Sequence, residues 1–417
     1  MTQPRTLSAP QLAILEAGTI NPDPAAYTMV SAITVNGISS RALRHAVTDT
    51  AARHDALHWT LDLDDRYRIS ASTGADRALV PAEETDLRSL DHASAVATVE
   101  AWMATQRATA YDLWGSGPRI RFHLFRLPDS PAGPSTVCVL TTHHMYTDEH
   151  ALQLLWTGIV GRASTPLGPE TTSSDLRYSR WAEASVSTAA ATGGRAAAEA
   201  VAQRCEAFET HPYPVYPERS PDKDAFHEQM RALGPVDTAE VSARLGTGQA
   251  AVYVAAVAQA VAEQTGHGRI VLHMPVSLRR TAAEASIVGC FVASALPPIR
   301  VGPTGDQLVQ HCQEALDFAS RHAHAQPGPL SRLVGQPQIS LAIEQPITVR
   351  RLGPVIWRRY AVPDAGPKHP LSLQLSAGAV GSGRLRASWT SATLQQDQAR
   401  DLLERIADHL NCLTVKG

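Results

Sequence analysis

The sequence predicts an α/β (α+β) protein with two domains, and three observations carry this expectation. The chain has 417 residues, which is more than a domain with a single hydrophobic core usually contains. Short β-branched apolar runs alternate with stretches whose apolar residues recur at helical spacing. A stretch rich in Pro, Gly, Ser and Thr then separates two halves. We therefore expect an N-terminal lobe at residues 1–165, a crossover linker at 166–188 and a C-terminal lobe at 189–417.

The first half contains the patterns of a mixed sheet covered by helices. Apolar residues at helical spacing, with a serine at the start, predict an amphipathic helix over residues 39–54. A second helix is expected at 93–108. Alternation of polar and apolar residues predicts a half-exposed strand over 119–127. The β-branched run 135–140 predicts a buried strand that leads into the next feature.

The second half repeats the same kinds of element. It begins with an alanine-rich helix, and a long helix of Ala and Val is expected over residues 249–265, where a Gly-His-Gly segment ends it. Strands are predicted at 269–275 and 384–389. A closing amphipathic helix is expected at 395–413. These elements form a second α/β unit.

Composition excludes several classes of protein. Hydrophobic residues make up 44% of the chain and charged residues 18%, and the formal charge of -3 argues against a nucleic-acid partner. No apolar run reaches the roughly eighteen residues of a membrane span, and the polar start lacks the apolar core of a secretion signal. We expect a cytoplasmic protein without a membrane partner. The five scattered cysteines form no CxxC pair and are expected to be buried free thiols.

Two adjacent histidines, His143 and His144, follow the buried strand 135–140, and Asp148 lies four residues beyond the second. Helical spacing resumes after them, so the histidines are expected on a strand-to-helix loop. Neighbouring residues of a strand point to opposite sides. One histidine is therefore expected to be structural and the other available to a substrate. A lone histidine would more commonly be a satisfied core residue.

The same segment also has features of other chemistries. His143, His144, Asp148 and His150 have the atom types of metal ligands. Diverging strand histidines and the lack of an HExxH motif argue against a metal site, so none is expected. No GxSxG elbow of a serine hydrolase occurs in the sequence. Neither GxxxxGK[ST] nor GxGxxG occurs, so no nucleotide site is expected.

Several segments together resemble the condensation domains of nonribosomal peptide synthetases. HHxxxD alone is of modest specificity, but its companions stand in the family's order across nearly the whole chain. They include segments similar to the family's "RHEALR", "FDL…GPLLR", "PVAGR" and "GFFVN" motifs. The matching segments are residues 7–11, 52–57, 111–121, 143–148, 178–181, 275–279 and 288–292.

The resemblance implies a fold of two chloramphenicol-acetyltransferase-like lobes in a V-shaped pseudodimer with a central tunnel. It also implies acyl transfer in natural-product biosynthesis such as antibiotic synthesis. The acyl group would arrive as a thioester on the phosphopantetheine arm of a carrier protein, and an amine or alcohol would accept it. A coenzyme A thioester is an alternative donor, and no permanently bound cofactor is expected. We expect a stand-alone, monomeric member that meets an acyl or peptidyl carrier protein in trans.

The resemblance assigns roles to four residues. His144 would be the catalytic base that accepts the acceptor's proton, a contribution typically worth about 10²–10⁴ in rate. His143 would be structural. Asp148 would pair with Arg279 beneath the histidine loop without touching substrate. Asp148 also begins a helix, where capping alone would explain it.

This chain departs from the family pattern at four positions. Glu149 replaces a glycine near the path of the pantetheine arm, Ala151 replaces a serine, Ala293 replaces the asparagine of "FVN", and His58 replaces an arginine. The resemblance makes the following residues candidates for lining the tunnel or touching substrate: Glu149, Ala151, Val288, Gly289, Phe291, Ala293 and Ser294.

These departures keep other functions open. One alternative is a condensation-like domain that has lost catalysis and recruits a partner enzyme to a carrier-bound substrate. Another is a cyclisation or dehydration in which His144 and Glu149 form an acid/base pair. Intact His144, Asp148 and Arg279 favour acyl transfer.

Residues 349–360 concentrate four arginines in a slightly acidic chain. Because carrier proteins are usually acidic, this segment is a candidate carrier-docking surface. A solvated strand or loop face is the plainer interpretation.

Overall fold

The computed structural model describes residues 4–21, 23–63, 69–73, 82–115, 117–130, 133–165, 177–191, 193–214, 226–234, 236–302, 305–325, 327–344, 349–352, 355–360, 362, 368–376 and 383–414. The chain forms two compact units. The first contains residues 1–190, 278–292 and 347–365. The second contains residues 191–277, 293–346 and 366–417.

Helices and strands are interspersed along the described chain. The helices are α1 (Ala9–Ile20), α2 (Ser40–Ala52), α3 (His92–Arg107), α4 (Glu149–Ala163), α5 (Arg177–Ala191), α6 (Gly194–Cys205), α7 (Thr238–Leu245), α8 (Gln249–Thr265), α9 (Asp306–Arg321), α10 (Pro327–Val334) and α11 (Gln396–Thr414). The strands are β1 (Pro4–Arg5), β2 (Thr28–Asn36), β3 (Trp59–Leu63), β4 (Ile69–Thr73), β5 (Ala82–Asp86), β6 (Ile120–Ser130), β7 (Gly133–His143), β8 (Phe226–Ala232), β9 (Arg269–Val271), β10 (Met274–Ser277), β11 (Val292–Ala295), β12 (Pro298–Arg300), β13 (Ile339–Glu344), β14 (Val349–Leu352), β15 (Val355–Tyr360), β16 (Leu371–Ser376) and β17 (Arg384–Thr390).

The first unit is built on a six-stranded sheet of order β14-β15-β2-β7-β6-β5. Its strands are antiparallel except for the β5–β6 pair. Helices α1, α2 and α4 pack on one face, where Ile33 and Val35 of β2 point into their apolar layer. Helix α3 covers the other face against Val30 and Ala32. This alternation along β2 is what a strand buried on both faces requires.

The second unit contains the four-stranded sheet β13-β16-β17-β8, with β13 and β16 parallel. Leucines at alternate positions of β16 point into one core, which also contains residues of α8, α9 and α11. The predicted α/β class is confirmed. Four cysteines are buried free thiols as expected, whereas Cys412 is exposed near the end of α11.

The division between the units differs from the simple N-terminal and C-terminal lobes expected above. Residues 278–292 and 347–365 lie in the first unit, although the sequence placed both in the C-terminal lobe. The physical reason for the second segment is pairing, because β15 is hydrogen-bonded to β2. The predicted linker 166–188 is also helical from residue 177 onward, within α5. Residues 166–176 lie outside the described part of the chain.

Within the described residues, no single helix has the length and apolar character needed to cross a bilayer. The bent pair α7 and α8 meets those two criteria together. Most of α8 is buried in the core of the second unit.

Candidate active site

The two histidines stand where β7 ends. Strand β7 runs to His143, which is paired with Thr28 of the neighbouring strand β2. The chain then turns, and the His144 N–H donates a hydrogen bond of 2.9 Å to the Tyr27 carbonyl. This bond continues the strand ladder by one residue, so the position of His144 is set by main-chain contacts.

The environments of the two histidines differ. His143 is only 6% exposed, and its Nδ1 accepts a 3.3 Å hydrogen bond from the Met145 N–H. His144 is half-buried. The Tyr27 ring lies 6.2 Å from the His143 ring and 6.4 Å from the His144 ring. Burial raises the pKa of Tyr27 to about 12, so its phenol stays protonated at neutral pH.

Asp148 uses both carboxylate oxygens to join two parts of the first unit. Its Oδ1 accepts the Ala151 N–H at 2.8 Å and thereby caps α4. Its Oδ2 accepts from Arg279 Nη1 at 2.5 Å and from the Phe291 N–H at 2.9 Å. The sequence posed capping and pairing as alternatives, and the structure contains both.

Arg279 is held on several sides. Its side chain is 6% exposed and that of Asp148 is 2% exposed, so the ion pair is buried. Nη2 of Arg279 donates to the carbonyls of Ile287 and Gly289 at 3.2 and 3.3 Å. The guanidinium carbon also lies 4.0 Å from the centre of the Phe291 ring. These contacts connect segment 278–292 to the N-terminus of α4.

Four of the predicted lining residues are buried in the first unit. Ala151 and Phe291 are fully buried, and Val288 is 1% exposed. Gly289 lies against Tyr178 so closely that an added Cβ would stand 2.1 Å from the ring. Their burial shows that they pack beneath the loop, and the substrate passage that the resemblance assigns to them stays a prediction. The close approach explains why position 289 is glycine.

Glu149, the departure beside Asp148, forms an ion pair across the first unit. Both its carboxylate oxygens accept hydrogen bonds from the Arg359 guanidinium. Arg359 Nη1 donates to Oε1, and Nη2 donates to Oε2 at 3.2 Å. The Glu149 side chain is 49% exposed and that of Arg359 is 30% exposed. The carboxylate therefore already has a cationic partner, which argues against Glu149 as the acid/base partner of His144.

The last two predicted residues, Ala293 and Ser294, belong to the second unit. Ala293 is 9% exposed, and Ser294 is half-buried. The Ser294 hydroxyl lies 2.9 Å from Nε2 of His273, whose Nδ1 lies 3.2 Å from the Ser340 hydroxyl. The His369 ring lies 4.3 Å from the His273 ring, centre to centre, at an interplanar angle of 31°. The family resemblance gave no indication of this histidine pair.

Sequence reasoning also missed residues that brace the loop. Gln11 Nε2 donates to the Met145 carbonyl at 3.3 Å, which ties the start of α1 to the histidine turn. Asp55 is buried and accepts from the N–H groups of Tyr178 and Ser179 at 3.2 and 2.8 Å, in the first turn of α5. Both residues lie in segments that resemble the family. Their roles could be read only once these distant segments were placed side by side.

The metal interpretation gains no support from the contacts of its four candidates. Asp148 is committed to Arg279, and Nε2 of His150 lies 2.7 Å from the Ala285 carbonyl. Among the described residues, no group of three or more His, Cys, Asp or Glu side chains is arranged to hold a metal ion.

Solved structures of similar fold cover almost the whole chain. The condensation domain from the monacolin K polyketide synthase MokA has a TM-score of 0.81 at 14% identity, covering 99% of this chain and 98% of its own. The SgcC5 protein from Streptomyces globisporus has a TM-score of 0.75 at 16% identity, covering 99% of both chains. The X-domain in complex with OxyB from teicoplanin biosynthesis has a TM-score of 0.75 at 14% identity, covering 100% of this chain and 94% of its own.

No curated protein matches the chain. The family model of the condensation domain matches residues 2–342, which is most of the sequence. The matched range includes the two histidines, Asp148, Arg279 and segment 278–292. The chain therefore belongs to the condensation-domain family.

Proposed function

We propose that this protein is a condensation-type acyltransferase that forms an amide or ester bond. The donor is an acyl thioester on the phosphopantetheine arm of a carrier protein acting in trans, and the acceptor is a small amine or alcohol. His144 is the catalytic residue. His143, Asp148 and Arg279 are positioning residues.

One observation carries the proposal. The Asp148 carboxylate holds the start of α4, Arg279 and the Phe291 amide at once, four residues beyond a half-buried histidine. Desolvation makes a buried ion pair of this kind costly, so its presence here supports a role in fixing a local geometry. Here the geometry is that of the turn between β7 and α4. The side chain that this turn leaves partly accessible is His144.

The chemistry follows from what a positioned imidazole does. A lone pair of the acceptor nitrogen or oxygen attacks the thioester carbonyl, and the new C–N or C–O bond forms. His144 accepts the acceptor proton as charge develops and passes it to the departing thiolate when the C–S bond breaks. Proton removal matters more for an alcohol than for a neutral amine. An amine acceptor would depend on His144 chiefly through a hydrogen bond.

The test follows the carrier by intact mass. The protein is incubated with acyl-loaded carrier and a panel of amines and alcohols, with His144→Ala alongside. We expect loss of the acyl mass together with a product of matching mass, and neither with His144→Ala. His267→Ala, at an exposed histidine of the second unit, serves as the matched control and should behave as the wild type.

A second candidate is recruitment of a partner to a carrier-bound substrate. A neighbour of the same fold, the X-domain, is known in complex with OxyB. The residue that favours this candidate is Glu149, whose side chain stands where the family has glycine. Carrier binding without acyl loss, for every acceptor and for wild type and His144→Ala alike, would support recruitment and end the acyltransferase proposal.

A further inference from the structure

Glu149, the first residue of helix α4, forms a two-nitrogen contact with the guanidinium of Arg359, called the Arg359 fork below. Arg359 belongs to β15 and Glu149 to the first turn of α4, yet both guanidinium nitrogens Nη1 and Nη2 reach the carboxylate. The pair is partly open to solvent, with exposures of 49% and 30%. An arginine fork that holds a carboxylate in this way has the geometry that also binds a phosphate.

The fork is part of a cationic face. Strands β14 and β15 form an antiparallel hairpin at the sheet edge, in which Arg350 stands opposite Trp357. Cross-strand partners and alternate residues share a face, so Arg350, Trp357 and Arg359 lie on the same face of this hairpin. The Arg350 guanidinium lies 5.6 Å from the Trp357 ring.

On the other face of the hairpin, Arg351 and Arg358 are exposed. Within the described part of the chain, neither they nor Arg350 has a carboxylate partner, and Glu149 is the acidic side chain paired with Arg359. The hairpin therefore has an excess of arginine distributed over its two faces, which favours a monoanionic or dianionic ligand. Glu149 then acts as an internal anion that competes with such a ligand for the Arg359 guanidinium.

We propose that Arg359, with Arg350 beside it, is a binding site for the phosphate ester of a pantetheine arm and that Glu149 competes with that phosphate. This inference rests on the proposed function for the identity of the ligand. The phosphate replaces the Glu149 carboxylate in the Arg359 fork, and the released Glu149 side chain moves into solvent. The glycine-to-glutamate departure thereby weakens donor binding and makes it sensitive to ionic strength.

The experiment compares 4′-phosphopantetheine with pantetheine, which lacks the phosphate, by calorimetric titration of the full-length protein. Glu149→Gln keeps the shape of the side chain and removes its charge. We expect it to tighten phosphopantetheine binding by about threefold or more, as removal of an exposed ion pair and of like-charge repulsion allows. Pantetheine binding should not change. The double variant Glu149→Gln with Arg359→Gln should lose the gain.

A matched control is Glu228→Gln, which breaks the similarly half-exposed pair with Arg386 in the second unit. It should leave both affinities as they are. Equal gains for pantetheine, or a gain that survives the loss of Arg359, would overturn the proposal. Titration with holo-carrier and with coenzyme A then distinguishes the source of the phosphate. Because binding needs no turnover, a phosphate effect without acyl transfer would count against the proposed reaction and not against this site.

Discussion

At the scale of single residues, Asp148 shows how one carboxylate satisfies two demands. Its position before α4 predicts a helix cap, and the family resemblance implies a pairing with Arg279; from the sequence these were alternative interpretations. They coexist because the two oxygens point to different partners. Glu149 is the opposite case. The sequence marked it as unusual, but no local pattern could reveal Arg359, 210 residues away.

Asp148→Asn keeps an oxygen for the cap and removes the charge opposite Arg279. Because Arg279 would be left buried without its anion, we expect a loss of about 3–5 kcal/mol in the free energy of unfolding, measured by urea denaturation. Asp306→Asn is the comparison, since it breaks a half-exposed pair with Arg244 and should cost at most about 1 kcal/mol. Equal losses for the two variants would contradict a special role for the buried pair.

At the scale of elements, periodicity predicted helices that bury an apolar stripe. Helix α8 was predicted at residues 249–265, the range observed. Helix α5 was missed because the composition of residues 166–188 suggested a linker. Its buried Tyr178 and Ala182 stand four residues apart, which is helical spacing. The Asp55 contacts at its first turn come from a segment more than a hundred residues earlier and lie beyond the reach of any local pattern.

Gly289→Ala tests the packing between segment 278–292 and α5. The added Cβ would stand 2.1 Å from the Tyr178 ring, so Tyr178 or the backbone must shift. We expect a loss of about 1–3 kcal/mol in unfolding free energy, typical of overpacking. Gly161→Ala, in α4 with nothing within 4 Å of the new Cβ, should instead leave stability unchanged or raise it by up to about 1 kcal/mol. Similar shifts in melting temperature for the two variants would contradict the close packing of Gly289 against Tyr178.

At the scale of the whole molecule, the α/β class and two-unit organisation followed from length and alternation, but the division between the units did not. Residues 347–365 join the first unit through the β15–β2 pairing. Two strands more than 300 residues apart can pair without any local sequence pattern that predicts the pairing. The histidine pair of the second unit was missed for the same reason, since His273 and His369 are far apart in sequence.

That histidine pair predicts how stability depends on pH. Burial, with Lys368 nearby, holds the pKa of His369 at about 4 and that of His273 well below its ordinary value. The unfolded chain takes up these protons at about pH 6.5. As the pH falls from about 6.5 to about 4, the unfolded state binds the proton that folded His369 does not take up, and stability drops by about 1.4 kcal/mol per pH unit. The lowered pKa of His273 acts in the same direction. Above that window the pair has no such effect.

His369→Asn keeps a donor for the Pro337 carbonyl, which His369 Nδ1 contacts at 3.0 Å, and removes the titration. Urea denaturation at several pH values should give a shallower loss of stability than in the wild type. An unchanged slope for His369→Asn would show that its ring is not held neutral by the fold.

The measurement that tests the central claim most directly is the single-turnover rate of acyl transfer from a loaded carrier to an alcohol. If His144 removes the acceptor proton, His144→Ala lowers this rate by about 10²–10⁴-fold, while carrier binding is retained. Transfer at the wild-type rate by His144→Ala would contradict the account, whatever else the turn between β7 and α4 supports.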